Sequence, residues 1–194
     1  SVNDGAELVI TNRDGSIYQA ITRVDAAITF SWSPNGKKIA YLTRNRNETD
    51  PPGELIVVDV KDLTSQPTTL SEHNFVLGFF WSPDSEKIAY FVPGTYVNPE
   101  DDTQKTLFLT LHIYHLRKEA TREIHSFVPT SQFLAVVQQF DQFYLSTRLW
   151  SPDSRNFLFA ELTQRGAGIM VARTSGNIAP RQIAGGLIGF WSWR

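Results

Sequence analysis

The chain has 194 residues, with 18 basic and 20 acidic side chains, a net charge of −2 and no cysteine. Disulfide and thiol chemistry are therefore excluded, and no basic stripe predicts binding to nucleic acid or to an anionic membrane surface. No apolar run approaches the roughly 20 residues that a membrane-spanning helix needs. We expect neither a nucleic-acid partner nor a membrane span in this chain.

The first predicted elements are two short strands at residues 7–11 and 17–22. They flank Asn12-Arg13-Asp14-Gly15, and Asp-Gly between alternating apolar residues is a strong signal for a hairpin. This hairpin is predicted to be the outer part of an incomplete sheet.

A repeated phrase then dominates the chain. Residues 30–42, 79–91 and 148–159 each carry aromatic or apolar residues, then Trp-Ser-Pro-Asp or Trp-Ser-Pro-Asn, then a second apolar run. A fourth copy begins at Gly189 and has Trp193 where proline is expected. Proline followed by Asp, Asn or Gly is turn chemistry, so each copy predicts a strand, a tight turn and a strand. The repeat positions to which we assign a structural role are Trp32, Pro34, Trp81, Pro83, Trp150, Pro152 and Trp191.

The spacing of the copies predicts a β-propeller. The repeat tryptophans stand at positions 32, 81, 150 and 191, and units of roughly 40 to 50 residues with four strands are typical of propeller blades. The predicted fold is all-β, with three complete four-stranded blades and partial blades at both ends. The predicted segments are a partial blade 7–22, blades 27–70, 75–127 and 143–184, and a terminal strand 187–193.

The long interval before the third blade is explained by a helical insertion at 130–140. Its apolar residues fall at helical spacing, and Thr130 or Ser131 can cap its start. The predicted buried face contains Phe133, Leu134, Val136, Val137 and Phe140, and the exposed face contains Gln132, Gln138 and Gln139.

Trp-Ser-Pro-Asp or Asn, followed at a fixed distance by Ile-Ala-Tyr at 39–41 and 88–90, resembles the repeat of TolB-like propellers. It is also similar to the repeat in the propeller domains of prolyl-oligopeptidase-like peptidases. The resemblance implies a non-catalytic module that binds another protein outside the bacterial cytoplasm, in the periplasm or at the cell surface, as a scaffold or a subunit of a larger complex. The alternative it implies is the gating propeller of a peptidase whose catalytic domain is absent.

Two arrangements of the blades remain open. The chain closes as about four blades, one of them three-stranded, or it is the C-terminal segment of a larger propeller. The second is favoured because four blades is the low end of the usual range. Unfinished edges at 7–22 and 187–193 are expected to invite association with another chain.

No catalytic residues, metal ligands or cofactor-binding residues are predicted. The chain has no Gly-x-Ser-x-Gly elbow, phosphate-binding loop or dinucleotide fingerprint, and the serine of Ser-Pro-Asp belongs to a turn. His112 and His115 fall on opposite faces of a predicted strand and cannot share an ion. The acidic run at 98–102 is interpreted as a solvated loop, with calcium binding as the alternative.

Long connections at 44–53, 93–105 and 128–143 are predicted to emerge on one face, where binding residues usually lie on a rigid scaffold. The alternative role for the helix there is merely to cover the central channel. The predicted partner-binding residues are Asn45, Asn47, Tyr96, Asn98, Asp101, Asp102, Gln138, Gln139, Asp141 and Phe143.

Overall fold

The computed structural model describes residues 6–24, 27–44, 54–62, 67–70, 75–143 and 146–192. The chain divides into two units, Ser1–Val76 and Leu77–Arg194, and each is described by itself. Nearly all regular structure is antiparallel β-sheet, as the repeat predicted. No helix in the described ranges has the length and apolar character needed to cross a membrane.

The first unit contains a hairpin and a four-stranded sheet. In the hairpin, Gly15 adopts a φ of +85° that favours glycine, which explains the predicted Asp-Gly turn. In the sheet, neighbouring strands along the chain are neighbours in space, which is the arrangement expected of a blade. The elements are β1 (Ala6–Thr11), β2 (Ile17–Val24), β3 (Ala27–Trp32), β4 (Lys38–Arg44), β5 (Leu55–Asp59) and β6 (Thr68–Thr69).

The first four-stranded sheet of the second unit is the longest in the chain. Its strands are β7 (Gly78–Trp81), β8 (Lys87–Asn98), β9 (Asp101–His115) and β10 (Ala120–Phe127), and a 3-10 turn, Leu116–Lys118, joins the last two. The prediction of a loop over 93–105 is wrong. The two central strands continue through that segment, paired residue by residue, and reverse at Pro99 and Glu100.

The predicted helix is present. It comprises α1 (Ser131–Gln138) and a further turn, α2 (Phe140–Phe143). The side chain of Thr130 accepts a hydrogen bond from the backbone N–H of Phe133, which caps one of the unpaired donors at the helix start. Phe133, Val137 and Phe140 are fully buried, so this helix covers apolar surface of the sheets.

The third repeat forms a three-stranded sheet of β11 (Asn156–Thr163), β12 (Gly166–Arg173) and β13 (Arg181–Gly185). Its predicted first strand is reduced to one bridge between Trp150 and Phe157, with flanking hydrogen bonds from Leu158 N to Leu149 O and from Ser151 N to Asn156 O. The third blade therefore has three full strands where four were predicted.

The predicted terminal strand at 187–193 also differs. Residues 187–192 form no strand, and they lie against the third repeat by one backbone hydrogen bond, from Trp191 N to Arg148 O at 2.9 Å. Position 193 is outside the described residues. With no second strand beside it in the described chain, this segment lacks the ladder that would make it regular β-structure.

The repeat turns share one hydrogen-bond network. In the second copy, the Ser82 hydroxyl donates to Asp84 Oδ1 and accepts from Lys87 N, and Asp84 Oδ1 also accepts from Glu86 N. The equivalent bonds form around Ser33 and Ser151. Ser-Pro-Asp and Ser-Pro-Asn are therefore self-contained turns, because their side chains satisfy the backbone of the same turn.

The last residue of each turn motif is in the left-handed region, with φ of +67° at Gly36, +61° at Ser85 and +58° at Ser154. Ser154 is buried, and its hydroxyl accepts a hydrogen bond from Asp84 N in the neighbouring blade at 3.0 Å. A serine at this position thus links two blades, at the cost of a conformation that glycine adopts without strain.

We expect Ser154→Ala to lower the free energy of unfolding by about 1–2 kcal/mol, because the Asp84 N–H loses its acceptor in this part-buried hydrogen bond between blades. Ser154→Gly loses the same hydrogen bond but relieves the left-handed backbone, which offsets about 1 kcal/mol. Urea denaturation of both variants tests this, and a glycine variant less stable than the alanine variant would contradict the argument.

Two repeat tryptophans of the second unit, Trp150 and Trp191, join successive copies of the repeat. Trp150 is 5% exposed, packs edge-on against Phe157 and donates from Nε1 to the Phe80 carbonyl at 3.0 Å. Trp191 donates from Nε1 to the Leu149 carbonyl at 3.1 Å. In both cases the acceptor is the residue that precedes the previous repeat tryptophan.

Candidate partner-binding surface

A two-stranded ribbon, residues 92–108, projects from the end of the β7–β10 sheet. β7 pairs with β8 only up to Phe91, and β10 pairs with β9 only from Leu109 onwards. The six residue steps from Val92 to Asn98 correspond to about 20 Å of extended chain. Within the described residues, both outer edges of this ribbon carry no further strand, so their backbone groups are available for pairing.

The ribbon is held in its pairing by local contacts. The ring of Phe108 lies directly over Gly94, its cross-strand partner, so closely that a β-carbon there would overlap it. An aromatic ring packed over a glycine in this way pins the register of two strands. This contact joins residues 14 positions apart, and it explains why Pro93-Gly94 does not end the strand.

The ribbon turn is stabilised by its own acidic and amide side chains. Asn98 Oδ1 accepts from Glu100 N at 3.0 Å, and Asp101 accepts from the Thr103 backbone and hydroxyl and from Gln104 Nε2. The hydrogen bond from the Thr103 hydroxyl lowers the pKa of Asp101 below its usual value. The turn therefore carries a fixed negative charge at neutral pH.

Large apolar side chains are exposed along the ribbon. Tyr96 is 57% exposed, Val97 43% and Leu107 37%. Tyr96 lies on the face that also carries Phe108, and Val97 and Leu107 lie on the opposite face, because adjacent strand residues alternate. An exposed tyrosine with apolar neighbours is the composition found at interface hot spots.

The helix lies at the same end of the sheet as the root of the ribbon. β10 ends at Phe127, opposite Leu109, and α1 begins four residues later. The ring of Phe133 packs against Phe91, the last residue of β8 that pairs with β7, at a centroid distance of 5.6 Å. The helix is thus fixed to the base from which the ribbon projects.

The structure brings the predicted binding residues together in two groups. Tyr96, Asn98 and Asp101 lie near the tip of the ribbon, and Gln138, Gln139 and Asp141 are exposed on the helical insertion. No hydrogen bond or ion pair joins the two groups among the described residues. Asn45 and Asn47 lie outside the described residues, and for Asp102 and Phe143 only the backbone is described.

Sequence reasoning missed Val97 and Leu107 as parts of this surface. The available signal was the strand-forming composition of 95–97 and 106–109, which continues the flanking strands on both sides of a short polar turn. It was outweighed by Pro93, Gly94 and the acidic run, which are loop-forming residues when taken singly.

Other candidate sites have ordinary surroundings. His112 stacks on Tyr90 at a centroid distance of 5.1 Å, and His115 pairs across the sheet with Lys87. His125 contacts Glu161 at 3.1 Å. In the ranges that the structure describes, no three His, Asp or Glu side chains come together as metal ligands.

No protein-family model matches the sequence, and no curated protein sequence does either. Solved structures do match. TolB from Acinetobacter baumannii is 18% identical over 91% of this chain and 37% of its own, with a TM-score of 0.51. The acylaminoacyl peptidase of Pyrococcus horikoshii is 16% identical over 94% of this chain and 28% of its own, at 0.58. The tricorn protease is 15% identical over 88% of this chain and 16% of its own, at 0.55.

These similarities, together with the sheets described above, define the class of fold. The chain has an all-β fold of the β-propeller type, and the predicted resemblance to TolB-like propellers and peptidase propellers is confirmed for the fold. The chain spans little more than a third of TolB and less of the two peptidases. At these identities the likeness concerns architecture, and function has to be argued from the surface.

Proposed function

We propose that this chain is a non-catalytic binding module that docks another protein through the ribbon 92–108 and the helical insertion beside it. The observation that carries the proposal is the ribbon itself. A strand pair that extends about 20 Å beyond its sheet adds little to the core but presents Tyr96, Val97 and Leu107 to solvent.

The chemistry of the ribbon favours a polypeptide partner with an extended segment. Free strand edges bind such a segment by main-chain hydrogen bonds, and the exposed side chains on either face provide selectivity. Glu100 and Asp101 at the turn add negative charge, which speeds encounter with a basic partner. A large apolar and aromatic surface of this kind would have little use in binding a small ion.

The turn chemistry supports the non-catalytic role, and the resemblance supports the location of the protein. The repeat serines direct their hydroxyl groups into turn networks, which supports a structural rather than a nucleophilic role. The resemblance to TolB-like propellers supports an extracytoplasmic location, in the periplasm or at the cell surface, and a place in a larger complex.

The direct test removes the ribbon without disturbing the blade. Gly94 and Phe108 face each other across the strands, so residues 95–107 can be replaced by Asn-Gly, a two-residue turn that suits a hairpin. A photo-crosslinker at position 96 in the intact protein first identifies the partner in the native host. We then expect the shortened protein to bind the purified partner at least about tenfold more weakly, as is usual for loss of hot-spot residues.

The matched control is Lys118→Glu, an exposed residue at the opposite end of the same sheet. It should leave the partner affinity and the melting temperature unchanged. Unaltered affinity of the shortened protein, measured by calorimetry on a sample with a normal melting curve, would contradict the assignment of this face. Crosslinking from position 118 but not from position 96 would do the same.

A second candidate function is supported by the similarity to the acylaminoacyl peptidase, whose TM-score is 0.58. In that case the chain would be the gating propeller of a serine peptidase with its catalytic domain elsewhere. Labelling of the native gene product in cell extracts by a fluorophosphonate, which reacts with activated serines, distinguishes the two functions. Labelling favours the peptidase, and its absence alongside crosslinking at Tyr96 favours the binding module.

A further inference from the structure

In the second unit, each later copy of the repeat is joined to the copy before it by one recurring contact. The indole N–H of a repeat tryptophan donates to the carbonyl of the residue before the previous repeat tryptophan. Trp150 does so to Phe80 and Trp191 does so to Leu149, at 3.0 and 3.1 Å. Within the second unit, the residue before one repeat tryptophan is thus the acceptor for the tryptophan of the next copy.

Trp32 occupies the same repeat position in the first unit but is 40% exposed, whereas Trp150 is 5% exposed. Within the described residues its indole N–H makes no hydrogen bond. Phe30, two residues earlier on the same face of β3, is 45% exposed, whereas Phe79 at the equivalent position is 1% exposed. Two aromatic side chains that are covered or bonded in the later copies are therefore uncovered in this one.

The uncovered area is confined to one end of β3. At the other end, Ile28 shares a core with Leu8, Ile10 and Ile21 of the β1–β2 hairpin. The sequence predicted that hairpin as the outer part of an incomplete sheet. The inner part of the face, at Phe30 and Trp32, is where a first strand with an acceptor carbonyl would fit.

The chain also carries a free acceptor for such a contact, at its other end. Phe190 precedes Trp191, as Phe80 precedes Trp81 and Leu149 precedes Trp150. In the described chain its carbonyl accepts no hydrogen bond, and its ring and Leu187 are 46% and 49% exposed.

We propose that the Phe30–Trp32 face of one copy binds residues 187–192 of a second copy, with Trp32 Nε1 donating to the Phe190 carbonyl. Leu187 and Phe190 supply the apolar contacts. The two surfaces differ, so the contact is heterologous and either closes into a ring or propagates. The chain therefore associates head to tail, independently of the ribbon surface.

Sedimentation velocity over a range of protein concentrations tests this proposal. The wild-type mass is expected to rise with concentration. Trp32→Phe keeps the aromatic ring but loses the N–H donor, and should weaken association about fivefold to tenfold. Trp32→Ala should weaken it at least about 30-fold, the loss typical of an aromatic hot spot.

Two controls make the result specific. Leu162→Ala removes another exposed apolar side chain, 52% exposed, and should not affect the association. A synthetic peptide of residues 186–192 should compete with it. A wild-type protein that stays monomeric at all concentrations, or a Trp32→Ala variant that associates like the wild type, overturns the proposal. Protection of the Trp32 indole N–H from hydrogen exchange in a strict monomer also overturns it, in favour of an acceptor within the same chain.

Discussion

Trp150→Ala is expected to lower the free energy of unfolding by about 3–5 kcal/mol. The indole is 5% exposed, packs edge-on against Phe157 and bonds the Phe80 carbonyl of the neighbouring blade. Truncation therefore leaves a cavity and removes the hydrogen bond between the two blades. For a chain of this size the loss corresponds to a fall in melting temperature of about 10 °C.

Two matched variants separate the contributions of packing, hydrogen bonding and burial to the stability. Trp150→Phe keeps much of the packing but loses the donor, so we expect an intermediate loss of about 1–3 kcal/mol from the smaller ring and the missing hydrogen bond to the Phe80 carbonyl. Trp32→Ala removes the same side chain from an exposed position without a hydrogen bond, and should change the stability of the monomer by less than about 1 kcal/mol. Calorimetric melts of dilute protein measure all three. Equal losses at Trp32 and Trp150 would contradict the difference that their surroundings predict.

The parts of the fold that sequence reasoning predicted well are those stabilised by nearby residues. The turn at 82–86 is such a case, because Ser82, Asp84 and Lys87 satisfy one another within six positions. The cap of α1 is another, since Thr130 bonds the third residue after it. Short-range hydrogen bonds of this kind leave a pattern in the sequence, and the pattern repeats with each blade.

The parts that could not be predicted depend on distant residues. The ribbon is stable because strand pairing and the Phe108 ring over Gly94 outweigh local preferences for a loop. Proline, glycine and acidic residues predict a loop from their own backbone preferences, and these preferences do not indicate which side chains pack against them. The exposure of Trp32 is equally non-local, because its repeat sequence matches that of the copy in which Trp150 is buried.

The first strand of the third repeat is a further case in which distant residues decide the structure, because here a predicted strand does not form. Arg148-Leu149-Trp150 has the composition of a strand, but its backbone groups have several partners. The Leu149 carbonyl accepts both Leu158 N and the Trp191 indole, and the Arg148 carbonyl accepts Trp191 N. The segment is thus shared between two neighbours, and a regular ladder with β11 does not form.

The second large effect is expected at the helical insertion. Phe133 is fully buried, and its ring packs against Phe91 and Phe127 at centroid distances of 5.6 and 6.0 Å. Phe133→Ala should lower the free energy of unfolding by about 3–5 kcal/mol, because the rings of Phe91 and Phe127 lose contacts around the cavity that it leaves.

This variant also tests whether the helix depends on that anchor. An eight-residue helix is too short to be stable alone in water, so α1 relies on its buried face. Amide hydrogen exchange in 131–138 should therefore accelerate more than exchange in β11. Gln132→Ala, which changes an exposed residue of the same helix, serves as the control and should leave both the melting temperature and the exchange rates unchanged. Loss of stability without faster exchange in α1 would mean that Phe133 supports the sheets directly, and that the helix remains in place without it.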